Sequence, residues 1–222
     1  MAVDLQTRFL AELPVAAEMD LLRRQLAAAA GLLARWREPH RLYHNETHLL
    51  AVLAALDDLT SGAGLPLDQP VPAVDLGAVR LAAWFHDAVY QGRPGDDEEA
   101  SAVLAERMLP PLGVAPEQVT EVARLVRMTA AHAPEPGDGA AELLADADLA
   151  VLGSQEPVYR SYAEAIRAEY AQVPDDAFRL GRAQVLRRLG ADRWIYRTPR
   201  GRALWEDAAR ANLDAELRRL RV

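Results

Sequence analysis

The sequence predicts an all-α fold, a single-domain bundle of helices. Ala, Leu and Arg dominate its 222 residues and Phe is scarce, a composition typical of helices. Apolar residues recur at helical spacing in several segments, and no segment alternates apolar and polar residues as a half-buried strand does. Half of the residues are apolar, which suffices for one good core. No change in composition marks a domain boundary.

The predicted helices follow one another through short connections. The first, over residues 16–37, ends before Pro39, because proline disfavours helix in the residue that precedes it. Asn45 is a suitable N-cap for the second, over residues 46–59. Further helices are predicted over residues 75–89, 98–109, 116–132, 155–172, 175–190 and 200–220. Loops rich in Gly, Pro or Asp are predicted at residues 60–73, 91–97 and 133–140.

The composition excludes several kinds of site and partner. The chain has no cysteine, so a metal would have to be bound by His, Asp or Glu. It has no lysine, which excludes Schiff-base chemistry. The net charge of -8 argues against broad nucleic-acid binding, which needs a basic surface. We find no signal peptide and no apolar stretch that could span a bilayer, and we therefore expect a cytoplasmic protein without membrane contact.

The stretch from Arg80 to Tyr90 is the most informative part of the chain. It begins as an apolar helix, which is typical of a buried helix, and then carries two adjacent ionisable residues, His86 and Asp87. Burying such groups is costly unless each finds a partner. Neighbouring helical residues point about 100° apart, so the two side chains can converge on a third object, such as a divalent cation. The alternative is a helix end where His86 caps and Asp87 meets solvent.

Other ionisable residues lie at or near predicted helix ends. Helix ends in a bundle can converge on one cavity, and bundle cores commonly hold metals. Such a set offers nitrogen and oxygen ligands suited to Mn, Fe, Co, Ni, Zn or Mg. The candidate residues are His44, His48, His86, Asp87, His132, Asp146 and Asp148.

The order of these residues resembles the signature of the HD superfamily of metal-dependent phosphohydrolases. The signature is carried by His48, the pair His86-Asp87 and Asp148. The flanking segments are similar as well: Tyr43-His44-Asn45-Glu46-Thr47-His48, Asp97-Glu98-Glu99-Ala100-Ser101-Ala102, Asp146-Ala147-Asp148-Leu149-Ala150-Val151-Leu152-Gly153 and Ile166-Arg167-Ala168-Glu169-Tyr170. Together they resemble the small bacterial branch of predicted phosphohydrolases in that superfamily, over about residues 36–216.

The resemblance implies an α-helical domain of the HD type, over residues 1–222, around one metal site. Its core would cover about residues 36–153, with C-terminal helices over residues 155–220 packed on it. By matching positions, the metal ligands would be His48, His86, Asp87 and Asp148. Asp146 is the alternative to Asp148, because residues two apart lie about 200° apart on a helix and only one faces the metal.

The implied reaction is hydrolysis of a nucleotide or another small phosphoester by metal-activated water. The candidates for the general acid or base are Asp87, Asp146, Glu98 and His44, and the sequence does not choose among them. Arginine grips phosphate well through its planar fork. The arginines on helices that can face the cavity are Arg80, Arg127, Arg167 and Arg182, of which we select Arg167 and Arg182 as substrate-binding residues. His132 is a candidate for a substrate contact or for a second metal.

Three other interpretations use the same sequence. A di-iron oxygenase would need His44 or His132 among the ligands. A non-catalytic module would bind a phosphorylated ligand, although such a protein usually has lost part of the ligand set. A scaffold would hold these residues apart. Finally, one helical stripe is interpreted as core packing and not as a base-stacking platform; it consists of Tyr159, Tyr162, Ile166 and Tyr170.

Overall fold

The computed structural model describes residues 4–61 and 74–221 of the chain. Within these two ranges the backbone forms ten α-helices, two short 3-10 helices and no strand, which confirms the predicted all-α fold. The α-helices are α1 Leu5–Ala11, α2 Met19–Trp36, α3 Glu46–Thr60, α4 Leu76–Phe85, α5 Asp96–Met108, α6 Pro116–Thr129, α7 Gly139–Asp148, α8 Glu156–Glu169, α9 Asp175–Ala191 and α10 Pro199–Leu220. The 3-10 helices are Pro110–Leu112 and Leu149–Gly153. None of the described helices is long and apolar enough to cross a membrane.

The central predicted helix is shorter than its apolar pattern suggests. The helix predicted over residues 75–89 is α4, which ends at Phe85. His86 is its C-cap, and the backbone N–H of His86 donates to the carbonyl of Ala82 at 2.8 Å. The chain turns directly afterwards, so that Asp87 leaves the helix axis. The ionisable pair therefore lies at the end of a buried helix and not inside it.

Other differences from the predicted elements are also found at helix ends. The helix predicted over residues 116–132 is α6, which ends at Thr129. His132 has a left-handed backbone with φ of 48°, a conformation that does not continue a right-handed helix. The sequence does not predict α1. The loop predicted over residues 60–73 lies almost entirely outside the described residues.

A large cluster of buried apolar residues surrounds α4. Every helix from α1 to α7 contributes to this cluster, and α4 itself packs against α3, α6 and α7. The segment Leu81–Phe85 is completely buried, as expected for a helix without a polar face. Phe9 of α1 covers it with a ring 5.2 Å from that of Trp84, in an edge-to-face arrangement that aromatic pairs prefer. The end of α4 is thus held rigidly in the middle of the protein.

A second apolar cluster is formed by the 3-10 helix Leu149–Gly153 together with α8, α9 and α10. Trp205 of α10 packs against both clusters. The backbone of α10 passes so close to Gly153 that a Cβ atom there would lie 2.4 Å from the Cβ of Trp205 and 2.8 Å from its Cα. Only glycine fits at this contact, which ties the C-terminal helices to the segment that follows Asp148.

We expect Gly153→Ala to destabilise the protein by about 1–3 kcal/mol or more, the range for overpacking, because the added methyl group collides with backbone. The matched control is Gly31→Ala in α2, where an added Cβ meets nothing within 4 Å. That exchange should stabilise the helix by roughly 0.5–1 kcal/mol. Urea unfolding measures both, and an unchanged midpoint for Gly153→Ala would contradict the close contact.

Candidate metal centre

His86 is fixed by the last turn of α4. Its side chain is buried, with 1% exposure, and its Nδ1 lies 2.8 Å from the carbonyl oxygen of Ala83. A carbonyl can only accept, so Nδ1 carries the proton, and the Nε2 of the neutral ring is left with a lone pair. A histidine that binds a metal through one ring nitrogen usually donates a hydrogen bond from the other nitrogen, for example to a backbone carbonyl.

Three further side chains meet the Nε2 of His86, each from a different part of the chain. His48, in the first turn of α3, brings its own Nε2 to 3.2 Å. Asp87 places Oδ2 at 3.2 Å, and Asp148, the last residue of α7, places Oδ1 at 3.5 Å. Asp148 Oδ1 is also 3.1 Å from His48 Nε2, and Asp87 Oδ2 is 3.6 Å from it. The four residues that the sequence proposes as ligands therefore lie together.

The spacing of these atoms fits a common metal ion. Ligand atoms about 2.1 Å from one ion lie about 3.0 Å apart at right angles and about 3.4 Å apart at the tetrahedral angle. One ligand atom from each of His48, His86 and Asp148 lies within 4.8 Å of the other two, and this group could hold a metal ion. Asp87 is close to both imidazoles, as the distances above show, and can add a second carboxylate. We call these four residues the ligand cluster.

The electrostatics of the ligand cluster favour a positive charge at its centre. Burial opposes the imidazolium form of His86, but the nearby carboxylates of Asp87 and Asp148 outweigh it and raise its pKa well above the usual value. Burial dominates at His48 and lowers its pKa. Burial also opposes the charged form of Asp148, yet the charge of His86 and hydrogen bonds from histidines lower its pKa well below the usual range. The same field would favour a cation.

Asp146 points away from the ligand cluster. Its Oδ1 accepts from the backbone N–H of Arg197 at 2.7 Å, and its Oδ2 accepts from the N–H and the hydroxyl of Thr198 at 2.8 and 2.7 Å. Burial raises the pKa of Asp146 to about 6, although these hydrogen bonds act against it. Of the two aspartates that the sequence left open, Asp148 lies beside the histidines, and Asp146 holds the start of α10.

His132 lies directly behind Asp148. Its Nε2 is 2.7 Å from Asp148 Oδ2, the carboxylate oxygen that faces away from His86. His132 reaches this position with a left-handed backbone, which is uncommon outside glycine and carries a conformational cost. The surrounding structure therefore maintains a strained residue in contact with one of the proposed ligands.

His44 is held by a carboxylate that the sequence analysis did not single out. Glu169, at the end of α8, accepts from His44 Nδ1 at 2.7 Å and from the hydroxyl of Tyr90 at 2.9 Å through Oε2. Its Oε1 accepts from the backbone N–H groups of Leu42, Tyr43 and His44. The ring of Tyr90 stacks on His44 with centroids 4.1 Å apart. With Nδ1 engaged, Nε2 is the nitrogen of His44 that remains for proton exchange.

Arg41 is a second residue that the sequence analysis did not single out. Its side chain is fully buried, and its guanidinium donates to the carbonyl oxygens of His44 at 3.1 Å, Asp87 at 2.6 Å and Ala88 at 3.2 Å. It thereby joins the loop before α3 to the turn after α4. Both turns carry residues of the site, so Arg41 sets their relative position.

The two predicted substrate-binding arginines make structural contacts, and Arg182 also lines the cleft described below. Arg167 pairs with Asp175. The guanidinium of Arg167 donates to the carbonyls of Tyr170 and Val173. These carbonyl groups follow the end of α8, and Arg167 supplies their hydrogen-bond donor. Arg182 is buried and makes a bidentate pair with Glu216 at 2.8 and 3.2 Å. The charge of each is therefore balanced by structural contacts.

The remaining arginine and glutamate candidates are surface or capping residues. Arg80 pairs with Asp57, and Arg127 pairs with Glu99 and Glu106. Glu98 accepts from the backbone N–H of Gly95 and so caps α5. That contact occupies Oε2 of Glu98, a residue that nevertheless lines the cleft described next.

The ligand cluster opens into a cleft of about 610 Å³. Asp87, Asp148, His132 and His44 line its inner end, while His48 and His86 lie behind them. Arg93 and Arg188 line it as well, and both are exposed. Within residues 4–61 and 74–221, neither guanidinium has a hydrogen bond or ion pair, so these two are available to an anion. Neither belongs to the arginines predicted from the sequence as substrate-binding residues.

Comparison of the chain with protein-family models, with curated proteins and with solved structures gives no match. The resemblance to the HD superfamily therefore rests on the ordered residues of this chain, and the functional interpretation rests on the geometry of the cluster and cleft.

We expect Glu169→Gln to destabilise the protein by about 1–3 kcal/mol, the range for hydrogen bonds to a charged group. Burial opposes the charged form of Glu169, but its hydrogen bonds, first of all that from His44, lower its pKa to about 2. A carboxylate with a lowered pKa stabilises the fold fully above pH 4.5, the usual pKa of a glutamate, and that contribution is lost as the pH falls towards 2.

The measurement is urea unfolding of the wild type, Glu169→Gln and the control Glu164→Gln between pH 2 and pH 7. Glu164 is exposed on the same helix, and its exchange should change stability by no more than about 0.5 kcal/mol. The difference between wild type and Glu169→Gln should shrink below pH 4.5. A difference independent of pH would contradict the assignment of a charged Glu169.

Proposed function

We propose that the chain is a metal-dependent phosphohydrolase that acts on a nucleotide or another small phosphoester. The observation that carries the proposal is the convergence of His48, His86, Asp87 and Asp148 at the inner end of a cleft. Burying charged groups is costly without a partner. Groups with strongly shifted pKa values that lie together in a cleft are candidates for a functional site.

The ligand cluster supplies two nitrogen and two oxygen donors, a set suited to Mn, Fe, Co, Ni, Zn or Mg. These four residues would hold a divalent cation, which would supply a Lewis acid for a phosphoryl oxygen and a water of lowered pKa. The hydrogen bond of His86 to Ala83 fixes the ring that presents Nε2, and His132 orients Asp148 through its second oxygen. These contacts hold the donors in place before substrate binds.

Proton transfer to the leaving group is assigned to His44. Its Nδ1 donates to Glu169, which orients the ring so that Nε2 is the nitrogen available for proton transfer. His44 lines the cleft close to Asp87. Asp87 stays a candidate for the base, whereas the contact between Glu98 and Gly95 favours a capping role for Glu98.

One observation favours a second candidate, the di-iron oxygenase. His132 contacts the outer oxygen of Asp148, so His132 and Asp148 are the residues that would hold a second ion. His44 donates from Nδ1 to Glu169, but no contact between His44 and either oxygen of Asp148 is found in the described residues. Two iron ions per chain would favour the oxygenase, and one ion per chain with phosphatase activity would favour the hydrolase.

The test of the proposed function is hydrolysis of p-nitrophenyl phosphate and bis(p-nitrophenyl) phosphate in the presence of each candidate metal. We expect activity in the wild type and a loss of more than about 100-fold in Asp87→Ala, beyond the 10–100-fold typical of residues that only support a ligand. The control is Asp214→Asn, which removes an exposed carboxylate of α10 and should keep full activity.

A wild-type protein that hydrolyses neither ester with any metal, and no member of a nucleotide panel, would contradict the proposed reaction. Equal activity in the wild type and Asp87→Ala would contradict the role of the ligand cluster.

We expect Arg188→Gln to raise KM about 3–10-fold at low salt with little change in kcat, because a rim charge attracts an anionic substrate without touching the reacting atoms. The effect should decline with added salt, which screens exposed charges. The control is Arg179→Gln on the same helix, since Arg179 pairs with Asp176 and does not line the cleft. Steady-state kinetics at two salt concentrations measure both variants, and equal KM values would contradict the role of Arg188.

A further inference from the structure

The lining of the cleft becomes less polar with distance from the ligand cluster. Its inner end carries carboxylates and imidazoles, whereas the wall contributed by α8 and α9 is predominantly apolar. Ile166 and Tyr162 of α8 face this space together with Phe178 and Val185 of α9. A site with one charged end and one apolar wall fits a ligand that has a charged group at one end and an apolar group at the other.

The tyrosine stripe of α8 contributes to this wall. Tyr159 is completely buried, as the interpretation of the stripe as core packing requires. Tyr162, Ile166 and Tyr170, in contrast, line the cleft. Ile166 is nevertheless buried in the core and Tyr162 packs against the second apolar cluster, so these side chains both pack on the core and border the cleft.

Two of the polar side chains on the wall are already paired. The hydroxyl of Tyr162 accepts from Arg182 at 3.1 Å, and Arg182 is neutralised by Glu216. In the described part of the chain, the polar side chains of α8 and α9 that line the cleft without a partner are Gln184 and Arg188. Specific sites for a sugar or a base depend on several placed hydrogen-bond partners.

The wall also exposes apolar surface that has no partner in the fold. Val185 of α9 is 41% exposed, and Ala177, about two turns earlier on the same helix, is exposed as well. The volume of the cleft is typical of sites for medium-sized ligands, and a phosphate group at the ligand cluster fills only a small part of it. The remaining, apolar part of the cleft is continuous with the proposed reaction site.

We propose that the substrate is a phosphomonoester of a mainly apolar alcohol, with an aryl or alkyl group that lies along the α8–α9 wall. This inference rests on the proposed function, since the phosphate is placed at the ligand cluster. Arg93 and Arg188 at the rim complement the charge of the phosphate, and the wall buries the apolar group. The base and ribose of a nucleotide would meet a mainly apolar wall there, which favours an apolar group in their place.

The experiment is isothermal titration calorimetry of the full chain with Mn²⁺ present, with three phosphonates that cannot be hydrolysed. They are methylphosphonate, phenylphosphonate and the 5′-phosphonate analogue of AMP. We expect phenylphosphonate to bind about tenfold or more tightly than methylphosphonate, as burial of a group of that size implies, and more tightly than the AMP analogue.

Two substitutions in α9 test whether the apolar group of the ligand binds along the wall. Val185→Asn makes the wall polar without adding charge, and it should weaken phenylphosphonate at least about threefold while methylphosphonate changes less than about twofold. Leu180→Asn is the matched control, because Leu180 is 55% exposed on the same helix and does not line the cleft. Both sites are exposed, so the fold tolerates either exchange, and circular dichroism verifies it.

Tighter binding of the AMP analogue than of phenylphosphonate would overturn the inference, and so would equal losses in Val185→Asn and Leu180→Asn. The proposed function fails in a different way. A protein that hydrolyses no phosphoester but prefers phenylphosphonate in a manner sensitive to Val185→Asn would reject hydrolysis and support the apolar wall as a ligand site.

Discussion

The burial of a charged cluster at the end of an apolar helix is the constraint on which the rest of the structure depends. α4 is surrounded by apolar residues from six other helices, which gives His86 a fixed position and removes it from water. Ionisable groups in such a place need each other or a cation. His48, Asp87 and Asp148 supply that compensation, and each comes from the end of a separate helix or turn.

Two buried contacts hold the loops that form the site. Arg41 joins the loop before α3 to the turn after α4 by three hydrogen bonds to carbonyl oxygens. Glu169 accepts from three successive backbone N–H groups of the same loop. Arg41 thus supplies hydrogen-bond donors to the carbonyl groups, and Glu169 supplies acceptors to the amide N–H groups. Together the two residues place His44 beside Asp87. α8 is coupled to the ligand cluster through Glu169, so the wall of the cleft and its reactive end are fixed by the same residue.

Local patterns could predict the helices and the members of the ligand cluster. The apolar run before His86 indicates burial without any knowledge of the partners, and the order of histidines and aspartates carries the resemblance to the HD superfamily. The choice between Asp146 and Asp148 could not be made, because it depends on Thr198, fifty residues later in the chain.

The arginines show the limit of sequence reasoning more clearly. Arg182 lies on a helix that faces the cleft, as expected, but Glu216 neutralises it, and no local pattern reveals that pair. Arg93 and Arg188 lack such partners in the described part of the chain, which only the tertiary structure makes visible. Glu169 was part of a segment that carries the resemblance, yet its role depends on contacts with residues more than a hundred positions away.

Metal content is the measurement that tests the central claim most directly. Elemental analysis of the purified and reconstituted wild type should find a divalent transition metal bound to each chain. Asp148→Ala should lose it, because this exchange removes an oxygen donor from the cluster, whereas Asp146→Asn should retain it, because Asp146 binds the start of α10. Absence of metal in the wild type after reconstitution, or equal metal in the wild type and Asp148→Ala, would contradict the assignment of the ligand cluster.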